Sequence, residues 1–260
     1  MLCLVCSGEL LHFANGQVLG DQEVEYRKCS RCGLVAAVNP TWLDRSYSQA
    51  ITKLDIGLLN RSMLMSNITA AVLRSERMRT GPFLDWAGGY GTLTRLMRDR
   101  GYDFRHADPM AENIFSRGFE GDPRVERFSM VTAVEVLEHL PDPVEDLAPA
   151  AASTDLLLAT TQLLPSPTPG PDDWWYYAPE TGQHITFYTA ESIRALAERL
   201  GFPSVVTGSF VHLFHRGQIS RKTTALIRNP KVAYALGGAS ALLDRRHSLI
   251  ASDLQRAAAT

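Results

Sequence analysis

A glycine-rich turn in the first half of the chain places the strongest constraint on its fold. The stretch FLDWAGGYGTL, residues 83–93, joins a short apolar run to three glycines, Gly88, Gly89 and Gly91. A buried strand, a turn without side chains and a helix together form a place where a ligand can approach the backbone closely. The turn alone is a weak signal, because nicotinamide and flavin enzymes also use one.

Apolar runs and amphipathic stretches alternate along this part of the chain. Strands are predicted at PFLDWA, DFRHAD, FSMVTAVEVL, TDLLLATT and, as one or two strands, PSVVTGSFVHLFHR. Helices are predicted at residues 92–100 and 110–118 and in the stretches PVEDLAPAA and ESIRALAERLGF. This alternation favours an α/β fold with a doubly wound, Rossmann-like parallel sheet. The long proline-rich loop LLPSPTPGPDD is a candidate lid or substrate loop.

Two acids flank the glycine turn and narrow the choice of ligand. Asp85 precedes the glycines, where it would repel the pyrophosphate of a dinucleotide and attract an ammonium or sulfonium group. Asp108 is expected at the tip of the next strand, where a carboxylate can accept both hydroxyls of a ribose. A nucleoside with a positively charged amino-acid tail, S-adenosylmethionine, fits this pattern. The alternative role of both acids is turn formation or helix capping.

All four cysteines lie in the first 32 residues, in the two pairs CLVC and CSRC. In a reducing cytoplasm, two such pairs predict a tetrahedral zinc site with the ligands Cys3, Cys6, Cys29 and Cys32. Four thiolates leave no open position on the metal, so the predicted role of the zinc is structural. The alternative is a pair of redox dithiols.

Three further stretches, LDWAGGYGTLTRLM, HADP and FSMVTAVEVLEHLPDP, follow one another over the same region. Together they resemble the motifs of class I S-adenosylmethionine-dependent methyltransferases, over about residues 80–205. CSRCGLVAAVNP and GQHITFYTAESIRALAERLGF are similar to the branch with an N-terminal zinc ribbon, which includes C-methyltransferases of deoxysugars. Those enzymes have a large C-terminal domain after the methyltransferase core, and the resemblance does not extend to that part.

The resemblance implies which residues bind the cofactor. The methionine part lies against the first acid and the glycines, and the ribose lies against the second acid. A carboxylate at the end of the fourth strand faces the cofactor. The implied set is Asp85, Gly88, Gly89, Gly91, Asp108 and Glu135. For the adenine contact, the sequence offers only Phe119 and Glu120 as candidates.

Two histidines are candidates for catalysis. His139 follows the fourth strand in LEHLP, and His184 follows the proline-rich loop in GQHITFY. A sulfonium already activates the methyl group, so the protein mainly positions the acceptor and removes its proton, which suits a histidine near neutral pH. We expect His184 to be the base or a substrate ligand, with His139 beside it. The alternatives are a structural cap for His184 and a brace for its loop for His139.

Aromatic side chains are candidates for contacts with the acceptor. Aromatic faces stack well on sugar rings and planar molecules, and the stretch DDWWYYAPE follows the proline-rich loop. The alternative is that some of these rings belong to the core. The predicted substrate contacts are Tyr47, Trp175, Tyr176, Tyr177 and Tyr188.

These patterns divide the chain into four segments. The predicted segments are a zinc ribbon at 1–40, a helical linker or lid at 41–80, an S-adenosylmethionine-binding methyltransferase domain at 81–215, and a basic amphipathic helical extension at 216–260. The ribbon has a hairpin signal at Asn15-Gly16. The linker has apolar residues at helical spacing: Ile56, Leu58, Leu59, Met63, Leu64 and Ile68.

The extension is predicted as two helices separated near Asn229-Pro230, with basic residues that include Arg245 and Arg246. Such a segment is suited to contact a membrane surface, cover an active site, join two subunits or pack as a helical hairpin. No apolar run reaches the roughly 18 residues of a membrane span. The N-terminus lacks a secretory signal, so a cytoplasmic location is expected.

The leading prediction is a methyltransferase of a small-molecule, sugar or glycan, or natural-product acceptor, acting on oxygen with a histidine base. O-methylation is favoured over C-methylation because Gln183 stands where the deoxysugar enzymes have the acid of a Glu-His pair. The alternatives are a deoxysugar C-methyltransferase, a zinc-containing ribosomal-RNA base methyltransferase and a scaffold protein without activity. The net charge of −2 and the few basic residues of the ribbon argue against a nucleic-acid partner. The oligomeric state and the acceptor are left open.

Overall fold

The computed structural model describes residues 1–47, 52, 54–243 and 247–258. The strands are β1 (Leu10–Val18), β2 (Gln22–Cys29), β3 (Val35–Ala37), β4 (Phe83–Trp86), β5 (Phe104–Ala107), β6 (Met130–Val134), β7 (Leu156–Thr160), β8 (Thr186–Phe187), β9 (Ser204–Thr207) and β10 (Val211–His215). The helices are α1 (Leu43–Ser46), α2 (Leu58–Ser75), α3 (Thr92–Asp99), α4 (Pro143–Ala152), α5 (Ala190–Arg199), α6 (Arg221–Arg228), α7 (Pro230–Leu243) and α8 (Ile250–Ala258).

The larger sheet has the strand order β5-β4-β6-β7-β10-β9. Strands β4 to β7 run parallel to one another, and β10 runs antiparallel to both of its neighbours. Successive residues of one strand are buried on opposite faces: Leu84 packs with α4 and α5, and Phe83 packs with α2 and α3. Helices therefore cover both faces of a mostly parallel sheet, which confirms the predicted doubly wound α/β fold.

The smaller sheet joins the N-terminal segment to a distant part of the chain. Its order is β1-β2-β3-β8, and all three pairings are antiparallel. Val35 pairs with Phe187, and Ala36 pairs with Thr186. The hydroxyl of Thr189 donates a hydrogen bond of 2.6 Å to the carbonyl of Cys32. The sheet of the ribbon is thus completed by residues that the sequence assigns to the methyltransferase domain.

The hairpin of the ribbon turns later than its Asn-Gly signal predicts. Asn15-Gly16 lies inside β1, and the turn is formed by Leu19 and Gly20, which have φ angles of 55° and 81°. A Cβ atom on Gly16 would lie 3.2 Å from the side chain of Pro171. The glycine is therefore explained by close packing against the proline-rich loop rather than by a turn.

The predicted helix at 110–118 is wrong, because this segment is an irregular loop. The carboxylate of Asp108 accepts hydrogen bonds from the amides of Met110 and Ala111, and the side chain of Asn113 accepts one from the amide of Ser116. Short polar side chains that bond to nearby amides in this way compete with helix formation. Helices at the other predicted positions are confirmed as α3, α4 and α5.

The linker is helical, but its buried face differs from the predicted stripe. Ile56, Leu59 and Met63 are exposed, whereas Met65 and Ile68 are buried. The helix packs against the sheet through its second half, so its first turns are left with an apolar surface toward solvent.

The extension forms three helices instead of two. A Cβ on Gly237 of α7 would lie 1.8 Å from the carbonyl oxygen of Asn67, so α7 crosses α2 at very close range. Asp253 of α8 is buried in an ion pair with Arg98 of α3. Arg245 and Arg246 lie outside the described residues. Within the described part of the chain, every helix is too short or too polar to cross a bilayer.

Candidate active site

A cavity of about 1250 Å³ lies at the carboxyl ends of the parallel strands. Asp85, Asp108, Val134 and Thr160, which lie at the ends of β4, β5, β6 and β7, all line it. Clefts at this edge of an open α/β sheet are the usual place for a ligand. The volume exceeds the roughly 300–1,000 Å³ of a pocket for a single drug-sized ligand, so two molecules can bind side by side.

Asp85 is a buried acid in the wall of this cavity, 1% exposed. Its Oδ1 accepts a hydrogen bond of 2.8 Å from the hydroxyl of Thr132, and its Oδ2 accepts one of 3.4 Å from the hydroxyl of Thr94. Burial raises the pKa of this carboxyl to about 6, because the hydroxyl donors are neutral and compensate only in part. A Cβ on Gly88 would lie 2.5 Å from Oδ2, so the turn must be glycine at this position.

The glycine turn itself is held in a left-handed conformation. Gly89 and Gly91 have φ angles of 57° and 81°. The amide of Gly89 donates to Asp108, and its carbonyl accepts from Nε2 of His106 at 2.9 Å. Gly91 does not line the cavity, and a Cβ there would lie 2.7 Å from Oδ1 of Asn113. The close packing of the following loop therefore explains why residue 91 is a glycine. His106 is a further residue that holds the glycine turn, and sequence reasoning missed it.

Asp108 lines the cavity and also shapes the backbone around it. Its Oδ2 accepts from the amide of Gly89 at 2.8 Å, and its Oδ1 accepts from the amides of Met110 and Ala111 at 2.7 and 2.8 Å. Asp108 therefore does form a turn, the alternative role that its sequence position allows. Each carboxylate oxygen can accept two hydrogen bonds, so Oδ2 keeps one position for a ligand hydroxyl.

The two residues proposed for the adenine contact lie away from the cavity. Phe119 is buried beneath the guanidinium of Arg98, which lies 3.8 Å from its ring centre. Glu120 accepts a hydrogen bond from the side chain of Asn113. The residues that line the cavity here are the next four along the chain, 121–124. An isolated parallel β-bridge between His106 and Glu120 fixes the backbone just before residues 121–124.

Glu135 follows β6 and lines the cavity, as the resemblance implies. Its φ angle is 54°, a left-handed conformation that costs energy for a residue with a side chain. The backbone amide donates to the hydroxyl of Thr160, and that hydroxyl donates to Oε1 of Glu135, both at 2.8 Å. Burial, together with the negative charge of Glu138, raises the pKa of Glu135 to about 7.

His139 and His184 meet at the other side of the cavity, with ring centres 4.8 Å apart. Nδ1 of His139 lies 3.0 Å from the carbonyl of Gln183, and Nδ1 of His184 lies 2.7 Å from the carbonyl of Tyr176. A carbonyl only accepts, so Nδ1 is the protonated nitrogen of both rings and Nε2 keeps its lone pair. Burial, with the neighbouring His184, lowers the pKa of His139 to about 3, so this ring is neutral at pH 7.

Glu138 is a residue of this site that sequence reasoning missed. Its side chain is 0% exposed, Oε1 accepts a hydrogen bond of 2.6 Å from the hydroxyl of Tyr176, and Oε2 has no partner. One donor atom from each of Glu138, His139 and His184 lies within 4.8 Å of the other two. The adjacent pair Glu138-His139 was the only signal in the sequence, because the other members come from a distant loop.

Three of the five predicted substrate contacts line the cavity. Tyr47 lies with its ring centre 6.3 Å from that of His139. Trp175 is 73% exposed at the cavity, and Tyr176 lies beneath it with its hydroxyl on Glu138. Helix α2 also contributes Arg61, which sequence reasoning missed and which pairs with Asp55 at 2.6 Å.

Tyr177 and Tyr188 do not line the cavity, and their side chains belong to the core. The Tyr177 ring packs 4.3 Å from that of Phe187. The hydroxyl of Tyr188 donates to the carbonyl of Leu137 at 3.0 Å. Both side chains have their polar ends satisfied by backbone carbonyls, so they brace the loops around the site instead of reaching an acceptor.

The four cysteines lie together, with their Sγ atoms all within 4.8 Å of one another. Cys3 and Cys32 are 3.8 Å apart at sulfur, and Cys6 and Cys29 are 3.4 Å apart. Zinc with bonds of about 2.3 Å to four sulfurs in a tetrahedron spaces them about 3.8 Å apart, so the arrangement fits this metal. The amide of Gly8 points at Sγ of Cys6 at 3.4 Å, as expected for a thiolate.

Comparison with known proteins gives a family and a fold. The family model described as a methyltransferase domain matches residues 60–206. No curated protein matches the sequence. A solved O-methyltransferase family protein from Burkholderia thailandensis aligns with a TM-score of 0.51 and 14% identity, over 68% of this chain and 63% of its own. At this identity the likeness shows a shared fold.

Two other solved structures align less closely. One is an O-methyltransferase family 2 protein from Planctomyces limnophilus in complex with apigenin, with a TM-score of 0.44, 19% identity, and coverage of 65% of this chain and 63% of that one. The other is a methyltransferase of calicheamicin biosynthesis in an SAH-bound form, with a TM-score of 0.42, 15% identity, and coverage of 59% and 54%. The chain thus spans 63% of the length of the first of these two proteins and 54% of the length of the second.

Proposed function

Since this chain belongs to the methyltransferase domain family, we propose that it transfers the methyl group of S-adenosylmethionine to a hydroxyl oxygen of a small-molecule acceptor. The observation that carries the proposal is the layout of the cavity. A buried acid lies beneath the glycine turn on one side, and two histidines that bond to backbone carbonyls through Nδ1 and leave Nε2 for another partner lie on the other. One side suits a cation, and the other suits a proton donor.

Asp85 supports the choice of cofactor. Its two hydrogen-bond donors in the described part of the chain are neutral hydroxyls, so an ammonium or sulfonium group nearby stabilises the ionised form. The open position on Oδ2 of Asp108 suits a ribose hydroxyl, and residues 121–124 lie where the base would extend. S-adenosylmethionine, when bound, supplies a methyl group on a positively charged sulfur.

The two histidines support a hydroxyl acceptor. A hydroxyl that donates to Nε2 of His184 or His139 can give up its proton as its oxygen attacks the methyl carbon. Gln183 supports O-methylation over C-methylation, because its amide donates to the backbone carbonyl of Ser46 at 3.0 Å and offers no second base. Tyr47 and Trp175 add flat apolar surfaces suited to a sugar ring or a planar acceptor.

We also propose that the four cysteines bind a structural zinc ion. Four thiolates fill the coordination sphere, so no position is open for chemistry. Buried apolar residues of the ribbon, such as Tyr26, pack against distant parts of the chain, as Tyr26 does against Tyr177. A closed metal site therefore stabilises a segment that shares its core with distant parts of the chain.

Calorimetry with S-adenosylmethionine tests the cofactor half of the proposal. We expect binding by the wild-type protein and a loss of about 10- to 100-fold in affinity for Asp85→Asn, because the charged partner of the ligand is removed. Asp172→Asn is the matched control, since this exposed acid lies outside the cavity. Absence of binding at millimolar cofactor contradicts the proposal.

Turnover with a panel of hydroxylated acceptors, including glycosides and phenols, tests the acceptor half. We expect His184→Ala to bind the cofactor normally and to lose about 10²-fold or more in turnover. His12→Ala, an exposed histidine of the ribbon, serves as the control. Unchanged turnover in His184→Ala removes this residue from the mechanism.

A further inference from the structure

We propose that Glu138, His139 and His184 bind a divalent transition-metal cation at the acceptor side of the cavity. The inference rests on the proposed function only in calling this the acceptor side. The site is separate from the four cysteines and has a different donor set, with one carboxylate and two imidazoles.

The first argument is the electrostatic situation of Glu138. Its side chain is 0% exposed, and its hydrogen-bond partner is a neutral one, the hydroxyl of Tyr176 on Oε1. Oε2 has no partner at all in the described part of the chain. A buried carboxylate is strongly destabilising unless a cation or further hydrogen-bond donors compensate for its lost hydration. A bound cation removes that cost.

The second argument is the orientation of the two histidines. Each ring donates its Nδ1 proton to a backbone carbonyl, which fixes both the tautomer and the ring position. Metal-binding histidines are held in this way by their second nitrogen. Each Nε2 therefore keeps an unshared lone pair, and neither has a hydrogen-bond partner among the residues described.

The third argument is the donor set. One donor atom from each of the three residues lies within 4.8 Å of the others, a spacing that small movements of these side chains reduce to the roughly 4 Å that ligands of one ion need. Two neutral imidazoles with one carboxylate form a site typical of zinc, iron, manganese and related divalent cations. Three protein ligands leave coordination positions open, and the cavity gives an acceptor access to them.

This site changes how the acceptor hydroxyl is activated. A cation lowers the pKa of a hydroxyl bound to it, so the proton leaves to water before or during transfer. The oxygen then forms the new C–O bond while the C–S bond breaks, and the electron pair of that bond stays on sulfur. In this mechanism the two histidines act as metal ligands, and the cation replaces the histidine base of the proposed function. The inference therefore keeps the proposed cofactor and methyl transfer but not that proton acceptor. Acceptors with two neighbouring oxygens are favoured, because both can bind the ion.

Manganese binding to the protein loaded with one zinc ion per chain provides the test, because the four thiolates take up that zinc first and leave the second site free. Binding is followed by the loss of the electron paramagnetic resonance signal of free Mn²⁺. Mn²⁺ prefers oxygen and nitrogen over thiolates, so it leaves the cysteine site unchanged. We expect one Mn²⁺ per chain in the wild-type protein. We expect Glu138→Gln and, independently, His184→Ala to weaken this binding by about 10²-fold or more. Glu145→Gln, an exposed acid of α4, is the matched control and should bind Mn²⁺ as the wild type does.

The proposal is overturned if the wild-type protein binds no Mn²⁺, or if both ligand variants bind it as tightly as the wild type. His184 is partly exposed, so its variant remains informative even where the buried Glu138 variant does not fold. Cofactor calorimetry and turnover in the presence of a chelator separate the two proposals. A protein that binds S-adenosylmethionine and methylates at an unchanged rate in the chelator keeps the proposed function and loses this site.

Discussion

Asp85 holds a carboxylate in a place where neutral hydroxyl groups are its hydrogen-bond donors. Burial raises its pKa from the ordinary 3.8 to about 6. A raised carboxyl pKa means that the folded protein without cofactor binds this proton more tightly than the unfolded chain does. The charge therefore costs stability at neutral pH, as expected for a carboxylate that, in the proposed function, binds a cationic ligand.

The sign of this effect gives a prediction for the cofactor-free protein. The stabilising contribution of the protonated Asp85 is present below pH 3.8 and is lost as the pH rises through about 6. We expect Asp85→Asn to escape this loss, which amounts to on the order of 2–3 kcal/mol in the free energy of unfolding. Urea unfolding of both proteins between pH 4 and 7.5 measures it. The gap between variant and wild type should widen with pH, and a constant gap contradicts the assignment.

Residues with local partners could be predicted from the sequence, and most residues with distant partners could not. The exception is the pair His139 and His184, which we expected side by side and whose ring centres lie 4.8 Å apart. Asp85 and Gly88 lie three positions apart, so their relation follows from the strand and turn alone. The side chain of Glu138 accepts a hydrogen bond from Tyr176, and that of His106 bonds to the carbonyl of Gly89. The role of each residue follows from that distant partner. No local pattern shows that these groups will meet.

At the scale of elements, α8 is anchored by a single buried acid. Asp253 accepts hydrogen bonds of 2.8 and 2.7 Å from Arg98 and lies 2.9 Å from a guanidinium nitrogen of Arg95. Burial opposes the ionisation of Asp253, but the two arginines outweigh it and hold its pKa below the ordinary value. The ion pair therefore couples the end of the chain to α3, beside the glycine turn.

We expect Asp253→Asn to destabilise the protein by about 3 kcal/mol near neutral pH, because the buried guanidinium of Arg98 loses its buried carboxylate partner and keeps only the more exposed Asp103. A lowered carboxyl pKa gives stability above the ordinary 3.8 that is lost as the pH falls, so the effect should shrink toward pH 3. Urea unfolding is the measurement. Glu112→Gln, which breaks an exposed pair with Arg117, is the control and should change stability by less than about 1 kcal/mol. An equally small effect in Asp253→Asn contradicts the anchoring role.

The elements that the sequence predicts correctly are those with strong periodicity or short apolar runs, such as β4, β7 and α5. The segment 110–118 was mistaken for a helix because side chains such as Asp108 bond to its amides instead. The exposed apolar start of α2 has the right period, but only tertiary packing decides which face is buried.

At the scale of the whole molecule, the ribbon and the cavity share structure through β8. The strand pairs with β3 of the ribbon and begins two residues after His184. Thr189 also bonds to the carbonyl of Cys32. We therefore expect disorder in the ribbon to displace His184 and to affect the glycine turn much less.

We expect Cys32→Ser to lose the proposed zinc, to make the ribbon sensitive to protease, and to lower turnover at least tenfold. Affinity for S-adenosylmethionine should change much less, since Asp85 and Gly88 lie on β4 and its turn. Ser30→Ala, in the same knuckle, is the control. Metal content, limited proteolysis and calorimetry give the three readouts, and a fully active variant without zinc contradicts the coupling. The predicted boundary at residue 40 could not reveal this link, because sequence patterns do not show which distant strands pair.

The pairing of β3 with β8 also has a consequence for synthesis on the ribosome. The cysteines and the first three strands emerge early, but the strand that completes their sheet is made only after more than half of the chain has followed. Until then β3 is an edge with unpaired backbone groups, a known starting point for aggregation. Metal binding by the nascent ribbon is expected to keep β3 ordered until β8 has been synthesised. Zinc supply during translation is therefore expected to affect the yield of folded protein more than zinc supply afterwards.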